Sequence, residues 1–375
     1  MTEQELVLFY QDLHRHPELG LEEFRTTERV KQELRRHGVA MLDTGLATGV
    51  IAEIRGEKPG RTIGLRCDMD ALPITEETGL PYASCEKGKM HACGHDFHTA
   101  CMLGAALMLK ERQDSLAGAV RVVFQPAEET VDGAAQMMAT GLLSDVEEFY
   151  GIHSYPYFEA GTLGIKEGPV MAASDRFAVT IRGRGAHAAQ PNKGVDPIPA
   201  LAALVQSVQT VVSRNVDPFD NAVVTVAHVE AGNTYNVIPT EAYLEGTART
   251  LNPDTRELVR RRLERICESV AAAYDCGIDF EYERGPDAVI NDAALCEAAR
   301  ETARETGLKT EIQENTMGAE DFSEFLKACP GVFIRVGTGG GYPGHHPRYT
   351  CDPAALWPAA RFFASLAQKR AAIIK

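Results

Sequence analysis

The sequence predicts an α/β protein of two domains, in which a smaller domain interrupts a larger one. Three observations carry this. At 375 residues the chain is too long for one ordinary hydrophobic core. Toward both ends, short apolar runs alternate with helical stretches, the pattern of a mixed, largely parallel sheet. Between residues 173 and 284 the texture changes to strands with strict in–out alternation, which fit a sheet covered on one side only.

The first forty residues carry apolar positions at helical spacing, interrupted by Pro17 and Gly20. Gly49-Val-Ile-Ala-Glu-Ile54 and Thr62-Ile-Gly-Leu-Arg66 read as strands, Thr99 to Leu109 as a helix, and Ala119-Val-Arg-Val-Val-Phe124 and Glu148-Phe-Tyr-Gly-Ile152 as further strands. From residue 173 the expected order is strand (Arg176–Arg182), helix (Pro197–Ser213), strands (Ala222–Ala227 and Ala242–Arg249), helix (Pro253–Tyr274) and strand (Ile278–Tyr282). That β-α-β-β-α-β order is ferredoxin-like. After Gly285-Pro286 the α/β texture returns with a helix over Ala293–Thr306 and a strand over Gly331–Val336. The expected division is 1–172 with 285–375 for the larger domain and 173–284 for the insertion, with glycine and proline near the junctions suited to a hinge.

A net charge of -15 with no basic run argues against nucleic acid or an anionic membrane surface as a partner. The opening Met1-Thr-Glu-Gln-Glu-Leu6 lacks a charged-then-apolar leader, and no apolar run has the length of a membrane span. Nine cysteines without paired spacing indicate a reducing compartment, so the expectation is a cytoplasmic protein. Cys67, Cys101, Cys267 and Cys296 stand in apolar or helical contexts and read as core.

Cys93 differs because of its neighbours. The run His91-Ala-Cys-Gly-His95-Asp96-Phe-His98 gathers sulfur, imidazole and carboxylate just before a long apolar segment. Sulfur with imidazole nitrogen selects a Zn²⁺-like ion rather than Mg²⁺ or Ca²⁺. Taken alone, the run is a metal site, a thiol nucleophile beside a base, or a polar helix start. More polar groups fall at expected strand ends: Asp68 and Asp70, Glu128-Glu129, His153, and His345-His346. Each has a plain explanation, such as a carboxylate pair capping the next helix. Their convergence on one edge of one sheet, where α/β proteins bind ligands, favours a site. A close carboxylate pair suits divided labour, one member coordinating and one moving protons.

Six segments occur in a recognisable order: Arg66-Cys-Asp-Met-Asp-Ala-Leu-Pro73, Met90-His-Ala-Cys-Gly-His-Asp96, Gln125-Pro-Ala-Glu-Glu129, Gly183-Arg-Gly-Ala-His187-Ala-Ala-Gln-Pro191, Asn236-Val-Ile-Pro239 and Gly318-Ala-Glu-Asp-Phe322. In these, and from Leu13-His-Arg-His-Pro17 to His345-His-Pro347, the chain resembles the metal-dependent N-acyl-amino-acid amidohydrolases. These include hippurate hydrolase and indole-acetyl-amino-acid hydrolases, within the aminoacylase and carboxypeptidase metallopeptidase superfamily. The resemblance implies two divalent metal ions held by Cys93, His95, Glu129, His153 and His345. It implies Glu128 as general base and His187 as an oxyanion-stabilising histidine that reaches a partner subunit's site. Asn236 and Arg249 would hold the substrate carboxylate, with Asp70 and Asp96 orienting ligands. His345 rather than His346 fits the family's His-x-Pro pattern.

The activity so implied is hydrolysis of N-acyl-amino acids, hippurate-like or N-acetyl, to a carboxylic acid and a free amino acid. The alternative is a dipeptidase or carboxypeptidase acting on short peptides. Two further classes are a binding module that has lost catalysis and a thiol enzyme using Cys93 with His95. The metal expected from the thiolate is Zn²⁺, with Mn²⁺, Co²⁺ or Ni²⁺ also compatible. The exposed sheet edge of the inserted domain predicts a homodimer. Tyr155, where many relatives carry Trp, and the glycine-rich loop from Gly337 to Gly344 depart from the pattern and bear on the acyl group.

Overall fold

A computed structural model describes residues 1–373. In chain order the elements used below are α1 (Glu3–Arg15), α2 (Phe24–Arg36), β1 (Ala40–Leu42), β2 (Val50–Arg55), β3 (Lys58–Asp68), α3 (His95–Glu111), β4 (Ala117–Gln125), α4 (Gly133–Ala139), β5 (Glu148–Tyr155) and β6 (Leu163–Gly164). They continue with β7 (Ala173–Arg182), α5 (Pro197–Asn215), β8 (Ala222–Ala231), β9 (Glu241–Thr250), α6 (Pro253–Ala273), β10 (Gly277–Arg284), α7 (Ala293–Thr306), β11 (Thr310–Glu311), β12 (Gly331–Gly337) and α8 (Leu356–Ala371).

The chain forms two compact units: residues 1–170, 290–314 and 321 onward in one, and 171–289 with 315–320 in the other. The return of 315–320 to the second unit is not visible in the sequence pattern.

The first unit is a mixed α/β structure around an eight-stranded sheet of order β1-β2-β4-β3-β5-β12-β6-β11. Its centre, β4-β3-β5-β12, is parallel throughout, while β1, β2 and β6 add antiparallel pairings. Parallel strands have both faces covered, and the central stretch of β3 is accordingly buried from Thr62 to Asp68. Against the sheet lies α3, buried along its whole length from His95 to Leu109. A helix apolar on all sides belongs inside a protein, and α8 covers it with Leu356, Phe362, Phe363 and Leu366, all fully buried. Each such side chain contributes roughly 1.5–3 kcal/mol by leaving water.

Boundaries differ from the sequence expectation where polar residues are buried. The expected start of α3 at Thr99 moves back to His95, because the preceding polar run is helical as well. The strand expected to stop at Ile152 continues to Tyr155, so His153 lies within β5 rather than after it. The closing helix α8 was not anticipated.

The second unit holds an antiparallel sheet of order β8-β9-β7-β10, with α5 and α6 against one face. Its strands alternate cleanly: Ala242, Leu244, Gly246, Ala248 and Thr250 of β9 point inward, and their neighbours outward. At one end of this sheet Arg256 of α6 grips Asp175 of β7, with Nε 2.8 Å from Oδ2, and also contacts Asp287 and the Gly285 carbonyl. The Tyr282 hydroxyl and the Gly285 N–H complete the shell around Asp175.

In the first unit, buried His14 at the end of α1 bridges two carboxylates. Its Nδ1 is 2.6 Å from Asp96 in the first turn of α3, and its Nε2 is 3.3 Å from Glu76. Burial alone would push the His14 pKa down, but Asp96 outweighs it and Glu76 adds to the effect, raising it from 6.5 to about 9. A raised folded-state pKa contributes stability that is complete below pH 6.5 and is lost as pH rises through about 9. The stability gap between wild type and His14→Gln should therefore narrow, by on the order of 3 kcal/mol, between pH 6 and pH 10 in urea melts. A gap independent of pH would show that His14 is uncharged in the fold.

Candidate metal and catalytic centre

The carboxyl ends of β3, β4, β5 and β12 lie side by side, and the first unit's candidate residues sit on the segments leaving them, except His153, which is in β5 itself. Between β3 and α3 the chain presents Cys93 and Gly94, and His95 opens α3. Gly94 has φ +84°, a left-handed conformation natural to glycine. A Cβ there would also stand 2.4 Å from Ser154 Oγ. Glycine thus lets Cys93 and His95 flank a sharp turn pressed against β5.

Two non-glycine residues also adopt left-handed backbone beside the site: Ala127 at φ +52° and His345 at φ +65°. Such conformations cost of order 1–3 kcal/mol and persist where the surroundings hold them. The Ala127 N–H donates to Glu23 Oε1 at 2.7 Å, and the His345 N–H donates to the Ala92 carbonyl at 2.7 Å. Ala127 immediately precedes Glu128-Glu129, whose side chains do not cap α4; Asp132 stands at that position without a capping bond.

The ligating atoms converge in overlapping groups: Cys93 with His95 and His153, Cys93 with Glu129 and His345, and His95 with Glu128 and Glu129, each within 4.8 Å. Cys93 Sγ is 3.5 Å from His153 Nε2, and Glu129 Oε1 is 3.3 Å from His345 Nε2 and 3.9 Å from His95 Nε2. His346 instead stacks on Tyr342, its ring centroid 4.5 Å away, and accepts the Arg348 N–H.

Burial and neighbouring charges set the protonation of this cluster. Burial pushes the Cys93 thiol up to about 12, and the Glu129 charge adds to this. Burial and the neighbouring His98 hold His153 well below the usual imidazole range, leaving it neutral. His345 is raised, chiefly by Glu129. For His95 burial pulls downward, but Asp68 and Asp70 outweigh it. Buried His95 Nε2 has no hydrogen-bond partner, and Glu129 Oε1 meets His345 Nε2 only as an ion pair outside hydrogen-bond geometry, although buried polar atoms are almost always paired. Sulfur, imidazole nitrogen and carboxylate oxygen aimed at shared points, with such atoms unsatisfied, are what a divalent cation completes. The donor set fits metal.

Around these groups, Asp70 divides its carboxylate: Oδ1 lies 3.1 Å from His95 Nδ1, and Oδ2 accepts the Glu129 N–H at 2.9 Å. It steers one side chain and fixes the loop of another. Asp96 does not meet any of the five ligand candidates, contrary to the sequence expectation; its carboxylate goes to His14 and to the Phe97 N–H. The reason is helical. Successive residues of a helix point roughly 100° apart, so Asp96 faces α1 while His95 faces the sheet edge.

Asp68, named in the sequence only as a strand-end group, proves central. Buried Arg66 donates to Asp68 Oδ2 at 2.8 Å, to Asp321 Oδ1 at 2.6 Å and to Gln125 Oε1 at 2.7 Å. Three of the ordered motifs meet in this one group.

His187, Asn236 and Arg249 belong to the second unit. His187 sits in a two-residue ladder opposite Val237, so Asn236 is next to it across the pair, and the Asn236 carbonyl accepts the Ala188 N–H at 3.1 Å. His187 and Val237 also line a groove of about 650 Å³. Arg249 extends from the outward face of β9, where its Nε donates to Thr247 Oγ1 at 3.0 Å.

Residues 64–369 match the description of peptidase family M20/M25/M40. The chain is 44% identical over 363 residues to an N-acetylcysteine deacetylase of Bacillus subtilis, covering 96% of each. It is 35% identical to thermostable carboxypeptidase 1 of Saccharolobus solfataricus, covering 95% of this chain and 93% of that one. Among solved structures it is similar to the YXEP protein of Bacillus subtilis, described as a dinuclear metal-binding peptidase of the M20 family, with TM-score 0.91, 40% identity and 99% of each chain covered.

The turn at Gly94 yields a direct test. Gly94→Ala should lose at least about 1–2 kcal/mol from the backbone conformation alone, with a further cost from crowding Ser154. Equilibrium urea denaturation measures this, and an unchanged midpoint would remove the argument for glycine.

Proposed function

Since the chain belongs to peptidase family M20/M25/M40, we propose that it hydrolyses the amide bond of N-acyl-amino acids, releasing a carboxylic acid and a free amino acid. The observation that carries this is the convergence of Cys93, His95, Glu129, His153 and His345, with buried His95 Nε2 left without a hydrogen bond, beside Glu128. These five residues would hold two divalent cations, as the description of the similar Bacillus subtilis structure suggests. Zn²⁺ is the favoured ion because of the thiolate, with Mn²⁺, Co²⁺ and Ni²⁺ compatible.

Cations bound there supply Lewis acidity, which makes a water acidic enough to act near neutral pH and polarises the amide carbonyl. Glu128 takes the proton from the attacking water and returns it to the leaving nitrogen. Asp70 keeps His95 turned toward the site and holds the Glu129 backbone. His187 donates to the developing oxyanion. Arg249, with Asn236, pairs with the free carboxylate of the amino-acid half, which selects an amino-acid amide over a plain one. A small acyl group is favoured because a deacetylase is the more similar relative, at 44% against 35% for the carboxypeptidase. Peptide cleavage is the second reading, and it rests on the latter similarity.

The inserted unit acts in this reading as a ferredoxin-like lid and dimerisation domain spanning about 173–284. Its edge strand β8 is largely exposed, with Val229 half exposed, and offers unpaired backbone to the same strand of a second copy. Among the described residues no helix is long and apolar enough to cross a membrane. All nine cysteines are free, which supports a reducing, cytoplasmic setting.

Chelation with EDTA should abolish hydrolysis of N-acetyl- or N-benzoyl-amino acids, and Zn²⁺ or Mn²⁺ should restore it. Glu128→Gln should keep its metal while turnover falls on the order of 10²–10⁴-fold. Activity that survives both treatments would refute this reading, and preferential release from dipeptides would move it to the peptidase alternative. For the assembly, mixing inactive His187→Ala and Glu128→Gln chains should regenerate activity, because a mixed dimer contains one intact site. Failure to complement, in a sample shown to be dimeric by sedimentation, would place His187 within its own chain's site.

A further inference from the structure

His98 closes the sequence cluster that opens at His91, yet the reaction above gives it no part. It is fully buried, with its ring centroid 4.9 Å from that of His153 and 5.3 Å from that of His95. By proximity it could be a ligand, since Asp68, His95 and His98 bring ligating atoms within 4.8 Å of one another.

Its nitrogens are already committed. Nε2 lies 2.6 Å from the Ser154 backbone nitrogen, and Nδ1 lies 2.6 Å from Asp68 Oδ1. A backbone N–H can only donate, so Nε2 is the acceptor and the ring proton sits on Nδ1, directed at Asp68. Drawing Nε2 onto a cation would orphan the N–H of Ser154, a residue only 2% exposed. Such an orphan costs about 1–3 kcal/mol.

Ser154 in turn touches both ligand loops. Its carbonyl accepts the His153 Nδ1–H at 2.8 Å, which leaves His153 Nε2 directed toward Cys93 Sγ. Its hydroxyl donates to the Cys93 carbonyl at 2.9 Å and receives the Tyr349 hydroxyl at 2.6 Å. On the far side, Asp68 is anchored by Arg66.

We propose that His98 is a positioning residue and not a ligand: it fixes the Ser154 peptide, and through it sets the ring orientation of His153 and the placement of Cys93. This rests on the reading that Cys93 and His153 hold a cation. Outer partners of this kind typically change metal affinity 10- to 100-fold.

The test uses the full-length protein stripped of metal and titrated with Co²⁺, followed by its visible bands and its near-ultraviolet thiolate-to-cobalt absorption. Calorimetry with Zn²⁺ runs alongside, and thermal melts of the metal-free chains check folding. His98→Gln can place an oxygen near the position of Nε2 and still accept from Ser154, whereas His98→Asn is too short to do so. The expected result is a 10- to 100-fold loss of affinity and altered cobalt bands for His98→Asn, with His98→Gln within about threefold of wild type. Wild-type affinity and spectrum in His98→Asn would overturn the inference, as would a His98→Gln chain as impaired as the Asn one. Should the Asn chain not fold, Ser154→Ala decides: it cuts only the hydroxyl tie to Cys93, so a changed thiolate band is expected and an unchanged one overturns the link. A wild-type protein that takes up no cobalt would remove the metal site itself, and this inference with it.

Discussion

One buried cation organises the sheet edge on which the site is built. Arg66, with no exposure to solvent, spreads its guanidinium over Asp68, Gln125 and Asp321. Asp321 also receives the Gln125 amide and the Ala134 N–H, which fixes the first turn of α4. Two strand ends, a helix start and a segment from late in the chain are thus joined by one residue. Breaking a buried pair by removing one partner typically costs about 3–5 kcal/mol, because a charge is left behind without compensation. Only a planar fork with five donors can serve these partners together, which excludes lysine here.

From that anchor the order runs outward to the reactive groups. Asp68 faces His98, Asp70 faces His95 and the Glu129 backbone, and Glu23 holds Ala127 in its left-handed turn. Arg66, Asp68 and Asp70 are hydrogen-bonded to named partners, while His95 Nε2 is not. Local stability and local dissatisfaction are therefore separated by one layer of side chains. That is the arrangement expected where binding is done by atoms that folding alone leaves unsatisfied.

Much of this was legible in sequence because strands with apolar alternation and motifs at their ends are local signals. The central strands, α5, α6 and α7 fall close to where periodicity places them. The cluster around Cys93 and His95 was visible from residue type alone. Asp96, to which the resemblance gives an orienting role, instead bonds His14 and the Phe97 N–H, since a helix sends neighbours to different faces. Treating His95 as the first residue of a helix would have picked out His98 instead, since residues three apart share a face. The Arg66–Asp321 contact spans most of the chain and has no local signature, so sequence order alone could not reveal it. Nor could composition show that 315–320 rejoins the second unit.

The Arg256 clamp in the second unit has a consequence for how the chain reaches its fold. The excursion from Met171 to Val289 leaves the first unit and returns to it. Arg256 ties Asp175, near where the chain enters, to Asp287 and Gly285, near where it leaves. Closing a flexible loop costs entropy that grows by about 0.6 kcal/mol for each doubling of its length. Once the smaller unit has folded and its neck is clasped, the larger unit no longer has to close a long floppy segment. It meets a shorter one, made of 156–170 and 290–330, before β5 and β12 pair in parallel.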